Sequence, residues 1–252
     1  MTYAKPQSHD AESIAVSAMV AAAGGFLDAF TYIGHGHVFA NAMTGNVVLL
    51  GVQLGLGNVA QAQRHLVPII AFIAGIVFAR ALHRPRIARI IVSPHLACVI
   101  LETAFLFVVG WLPTTFPDDL LTLGVAFVGS IQLSTFSTVR GAAYASTFTS
   151  GNLRKFAESA FALAINPHDE DARVLTSAFA VLCAAFFVGA SIGSLCTLRF
   201  HNHAAWVVAA WLGIVLWRLL IAYRRAHLAV SNGESAGADD PPRQQLIGGD
   251  SA

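Results

Sequence analysis

Charge is scarce in this chain. Asp, Glu, Lys and Arg make up 12% of its 252 residues, about half the share of an ordinary soluble domain. No basic tract with interleaved aromatics occurs, so no nucleic-acid partner is expected. Cysteine is rare as well. Cys98, Cys183 and Cys196 are widely spaced and form no CxxC, which points to small buried hydrophobes rather than zinc or redox chemistry. Walker loops, HExxH and any nucleophile–base–orienter set are missing. The expectation is therefore a protein that is not an enzyme, with no cofactor and no metal. Met1–Glu12 carries a single base, Lys5. It lacks the basic start and small-residue cleavage site of a secretory signal, so the first apolar run is expected to be a retained span.

Long apolar runs are what the chain has in abundance. Mean hydropathy is +0.63, and several runs are long enough to cross about 30 Å of hydrocarbon as helix. The pattern predicts an all-α, polytopic transmembrane bundle of about six spans: Ile14–Ile33, Leu66–Leu82, Pro94–Leu112, Leu120–Val139, Val174–Leu195 and Ala204–Tyr223. Residues 1–13 form an N-terminal cytoplasmic segment, 14–223 the transmembrane domain, and 224–252 a tail. The stretch from Ser231 onward is rich in Gly, Ser, Asp and Pro, a composition that predicts disorder.

Two further segments, Val38–Leu56 and Tyr144–Ile165, are apolar but interrupted by Asn, Gly and Thr. Charge decides how they are read. Arg80, Arg84, Arg86 and Arg89 follow the second span; Arg140, Arg154 and Lys155 follow the fourth; Arg218, Arg224 and Arg225 end the last. Six crossings with both termini inside place all three clusters on the cytoplasmic face, as the positive-inside rule requires. Arg199 is the exception. The interrupted segments are then re-entrant or interfacial helices. A seven- or eight-crossing arrangement is the alternative.

Each half carries one motif. GGFLDAFTYIGHGHVFANAMTGN runs from Gly24 to Asn46, and a weaker echo, SIQLSTFSTVRGAAYASTFTSGN, from Ser130 to Asn152. The triplets Thr44–Gly45–Asn46 and Ser150–Gly151–Asn152 stand 106 positions apart, and at that offset Leu27 meets Leu133 and Asp28 meets Ser134. The halves, 14–112 and 120–223, each read as span, interrupted segment, span, span. Three crossings per half is odd, so the second copy would be inverted relative to the first. Many secondary transporters are built this way, with broken helices bringing backbone groups to a midplane site. Small residues also serve plain helix packing in membranes, which is the competing reading of the same triplets.

The stretch GGFLDAFTYIGHGHVFANAMTGNVVLLG resembles the signature of the YoaK family (DUF1275), multi-span bacterial membrane proteins of unknown function. Gly25, Asp28, Ala29, Tyr32, Phe39, Met43, Thr44, Gly45 and Asn46 carry the likeness. Ser150–Gly151–Asn152–Leu153 resembles the family's second-half TGxL element, with Ser in place of Thr. The resemblance implies a fold and a membrane location. It implies no substrate, reaction or cofactor.

Four ionisable or polar side chains stand out as a coupling or polar network: Asp28, Tyr32, Glu102 and Arg140. A carboxylate inside a span is costly unless paired, hydrated or protonated. Asp28 reads either as a coupling or solute-contacting acid or as a structural hydrogen-bond partner, and Arg140 either as its ion-pair partner or as a headgroup anchor. His35 and His37 are too poorly supported by neighbours to form a metal set. The chain is expected to be a secondary transporter or permease, its partners the lipid bilayer and a small polar or ionic solute. The alternative is a non-catalytic membrane scaffold or accessory protein.

Overall fold

A computed structural model describes residues 13–82, 93–139, 142–143 and 149–238. Among them the chain forms α1 (Ile14–Gly34), α2 (Met43–Gly55), α3 (Val59–Leu82), α4 (Pro94–Val109), α5 (Asp118–Thr135), β1 (Thr138–Val139), β2 (Ala142–Ala143), α6 (Thr149–Ile165), α7 (Glu170–Phe200), a short 3-10 turn (His201–His203) and α8 (Ala204–Ala238). The protein is an all-α bundle apart from one two-stranded hairpin, in which Thr138 pairs with Ala143 and Val139 with Ala142.

Local chemistry starts these helices where the runs begin. Ser13 caps α1, its Oγ accepting the Val16 N–H at 3.3 Å. Asp169 caps α7 through Ala172 N–H at 2.9 Å, with Glu170 and Asp171 in the first turn. Acids there oppose the positive end of the helix dipole. Pro94 opens α4, where its missing N–H costs nothing.

Several element ends differ from the expected spans, among them both ends of α7, which runs Glu170–Phe200 rather than Val174–Leu195. α3 starts at Val59 rather than Leu66, because the polar stretch before Leu66 is made of good helix formers. α4 stops at Val109, where Gly110 caps it. α5 stops at Thr135, short of Val139. Thr135 Oγ1 bonds back to the Ile131 carbonyl at 2.7 Å, and the Ser/Thr-rich sequence beyond it turns into β1. α8 continues past Tyr223 to Ala238, so the start of the segment expected to be a disordered tail is helical. Residues 239–252 lie outside the described residues.

Polarity is inverted relative to a soluble domain. Asp28, Asn41, Asn46, Glu102 and Gln132 are buried, while Phe187 is 71% and Leu195 69% exposed. A water-bathed protein does not present such a surface. Three stretches, Ile14–Gly34, Val59–Ala81 and Glu170–Arg225, are long and apolar enough to cross a bilayer. The protein is a multi-pass membrane protein.

The pairing of helices has an internal regularity. α1 packs along α7 and α3 along α5; α2 lies on α3 and α6 on α7; α4 meets α5 and α1 meets α8; α4 packs on α8. Exchanging α1 with α5, α2 with α6, α3 with α7 and α4 with α8 maps every one of these pairs onto another or onto itself. Each half thus lends its third helix to the first helix of the other. These crossings are close. A Cβ at Gly25 or Gly189 would overlap the carbonyl of Phe186 or Ala22 between α1 and α7, and one at Gly75 would overlap Ser130 Oγ and the Phe127 carbonyl between α3 and α5. Small residues let the backbones meet.

Both ends of the bundle are identifiable. His35 Nδ1 lies 2.9 Å from Asp118 Oδ1, joining the end of α1 to the start of α5. At the same end Asn202 Nδ2 donates to the Leu112 and Pro113 carbonyls, each at 3.1 Å. The opposite end holds the edge-on contact of His95 with Phe136, ring centroids 5.0 Å apart.

Candidate functional site

The break between α1 and α2 is where the first motif acts. Gly36 and His37 take positive φ, +75° and +56°, a left-handed pair that turns the chain back toward the bundle. The returning strand is then tied down twice. Asp28 Oδ1, on α1, accepts the Asn41 N–H at 2.7 Å and the Ala42 N–H at 3.2 Å. Asn46, on α2, accepts the Phe39 N–H at 3.0 Å and donates to the Phe39 carbonyl at 2.6 Å. Its amide thus stands in for the peptide partner that an irregular segment lacks. Gly45 leaves room for the Phe39 ring, since a Cβ there would sit 2.9 Å from Phe39 Cδ2. Tyr32 stacks on that ring at 4.8 Å.

Two members of the first triplet are therefore accounted for by the break itself, and Thr44 is left. It borders a cavity of about 520 Å³, within the range of small-molecule sites. Asp28 and Tyr32 line the same space. So do Thr149 and Ser150, at the first turn of α6. The starts of both interrupted helices thus meet one cavity together with a buried carboxylate. Ser191 and Ser194 of α7 add hydroxyls, and Ile33, Phe39, Phe186, Phe187 and Ala190 supply the apolar wall. Asp28 is 5% exposed, and among the described residues its Oδ2 has no hydrogen-bond partner; nor has Thr149 Oγ1.

The structure divides the expected polar network. Asp28 and Tyr32 are at the cavity, and Tyr32 meets His37 and Phe39 through ring contacts. Glu102 is elsewhere, between α4 and α5, where its Oε2 accepts from Gln132 Nε2 at 2.6 Å. Arg140 lies outside the described residues. Asn46 and Asn152 are both buried, but neither lines the cavity. Gly151 differs from Gly45 in that a Cβ on it would meet nothing within 4 Å.

Several residues that build the site escape a reading by motif. Asn41 is fully buried, donates through its side chain to the Gly24 carbonyl at 3.4 Å, and meets Gly129 of α5 so closely that a Cβ there would overlap its Oδ1. Thr149 precedes the second triplet at the position equivalent to Met43. Asp118 holds His35, whose burial pushes its pKa below the ordinary imidazole value while the carboxylate pulls the other way.

Comparison with known proteins agrees with this architecture. The family model for DUF1275, described as protein of unknown function, matches residues 16–217. The chain is 26% identical over 187 residues to the UPF0700 transmembrane protein YoaK of Bacillus subtilis (strain 168), covering 73% of this chain and 83% of that one. No solved structure matches it significantly.

Proposed function

The chain belongs to the DUF1275 family, and from that premise we propose that it is a small secondary carrier or channel-like permease of the bacterial cytoplasmic membrane, moving a small polar or ionic solute without catalysing a reaction. In this reading α1, α3, α4, α5, α7 and α8 cross the bilayer and both termini are cytoplasmic. α2 and α6 are re-entrant, entering from opposite faces, and the halves are inverted copies. Support for the inversion comes from the helix exchange, which preserves the seven pairings named above, though the smaller α7–α8 contact has no counterpart of that size between α3 and α4. The observation that carries the function is the cavity. The first turns of both interrupted helices and the otherwise buried Asp28 border one space, the arrangement that inverted-repeat carriers use to hold solutes.

The scaffold reading draws on a specific observation too, the backbone-close glycine contacts between α1 and α7, which need no solute. Uptake of a broad solute panel into proteoliposomes, under an imposed pH gradient, separates the two. Saturable flux of at least one solute, reduced in Ala190→Trp, which fills the cavity, is expected. A panel with no protein-dependent flux refutes the permease. Topology has its own test. Single cysteines at Pro117 and at Arg86, in a background lacking the native three, should react with an impermeant reagent from opposite sides; labelling from one side refutes the crossing scheme.

A further inference from the structure

We propose that the cavity binds a zwitterionic α-amino acid, its ammonium group at Asp28 and its carboxylate at the first turn of α6. The inference rests on the permease reading and names the class of its solute.

Two polar atoms on the cavity's lining residues lack a partner among the described residues, and they differ in what they can do. Asp28 Oδ2 has none, and Asp28 is buried at the cavity's edge. An ionised carboxylate oxygen can only accept. Thr149 Oγ1 has none either, and a hydroxyl can donate. A ligand that presents a donor to Asp28 and an acceptor to Thr149 satisfies both.

The helix ends assign the signs. Asp28 Oδ1 already takes the Asn41 and Ala42 amides at the entry to α2, so the positive end of that helix is offset by Asp28 itself. α6 has no acid in its first turn. The first N–H groups of any helix have no partner within it, and the dipole there favours negative charge. With Thr149 and Ser150 placed on that turn and on the cavity, α6 supplies the anion end, as helix starts do for carboxylates elsewhere.

Charge balance among the described lining residues weighs against the simpler ligands. No Lys, Arg or His is among them. A solute with a carboxylate alone would bring a second negative charge to Asp28 in a low-dielectric space. One with an amine alone would leave Thr149 and the α6 turn without an acceptor. The zwitterion answers both at once. Ile33, Phe39, Phe186 and Phe187 then form the wall for its side chain, as apolar linings do in small-molecule sites.

The test is equilibrium binding to the full chain in lipid nanodiscs. The probes are the twenty standard L-amino acids and, for each that binds, the two analogues lacking either the α-amino or the α-carboxyl group; for leucine these are 4-methylpentanoate and 3-methylbutylamine. At least one amino acid should bind, and each of its analogues should bind at least tenfold more weakly. Thr149→Val, which keeps the side chain's size, should weaken the amino acid several-fold and leave the amine analogue unchanged. Asp28→Asn keeps an oxygen for the Asn41 and Ala42 amides; it should weaken the amino acid and spare the acid analogue. Thr149→Val remains readable if Asp28→Asn does not fold. Binding by none of the twenty, or by one analogue as tightly as its parent, overturns the inference. Flux of some other solute without amino-acid binding would overturn it and leave the permease standing. Amino-acid binding without flux would do the reverse.

Discussion

Gly189→Ala should destabilise the protein, and Gly213→Ala should not. Both glycines are helical, so propensity alone makes each change favourable, by about 0.5–1 kcal/mol. Their surroundings are opposite. A Cβ at Gly213 meets nothing within 4 Å, whereas one at Gly189 would overlap the Ala22 carbonyl oxygen and stand 2.7 Å from Ala22 Cα. That obstacle is the backbone of a neighbouring helix, which has no rotamer to change. Relief requires α1 and α7 to part by roughly 1 Å over the crossing, forfeiting a quarter to a half of each contact along it. Overpacking of this kind costs about 1–3 kcal/mol, enough to outweigh the propensity gain. Thermal unfolding of the detergent-solubilised variants, followed by a thiol-reactive dye or by circular dichroism, gives the order directly. If Gly189→Ala melts with or above Gly213→Ala, the close crossing of α1 and α7 is wrong, and with it the wall of the cavity.

Three other outcomes follow from single contacts. Gln132→Leu strips Glu102 of its donor and should cost about 1–3 kcal/mol, while Glu102→Leu with Gln132→Leu should recover most of that loss; equal stability of both variants would show that the pair does not interact. Asn46→Ala removes both bonds to the Phe39 backbone and should lower stability by about 1–3 kcal/mol, read in the same melting assay; an unchanged melting temperature would release Asn46 from the break. Stability should fall as pH drops below about 6.5, the unfolded imidazole value, because the folded chain binds the His35 proton less readily than the unfolded one. The loss should level off below the lowered folded value and be smaller in His35→Gln. A variant retaining the same acid sensitivity would place its origin elsewhere.

Helix positions were legible because hydrophobic length and terminal residues are local properties, and α1, α4 and α8 begin where Ser13, Pro94 and the apolar run at Ala204 say they should. The 106-residue offset was legible too, and the two interrupted helices start at Met43 and Thr149, that distance apart. What escaped depends on tertiary placement. Asp28 was conspicuous as an acid in an apolar run, but its partners are backbone amides with no sequence signature. Gln132, a polar residue without a motif, gave no hint that it would meet Glu102. The triplets invited equal treatment, yet Asn46 clasps its own loop and Gly151 faces open space, because three-dimensional surroundings need not repeat when sequence does.

The exchange of third helices between the halves has a consequence in time. α1 ends at Gly34 and α7, its main neighbour, begins at Glu170. At about 5–20 residues per second of synthesis, α1 emerges from the ribosome roughly 7–27 s before the helix that covers it. Throughout that interval its glycine face has only lipid, the insertion machinery or the helices made in between for company. A nascent chain cut off before Glu170 would hold α1 in that orphaned condition permanently, a natural mark by which membrane proteases could tell unfinished copies from finished ones.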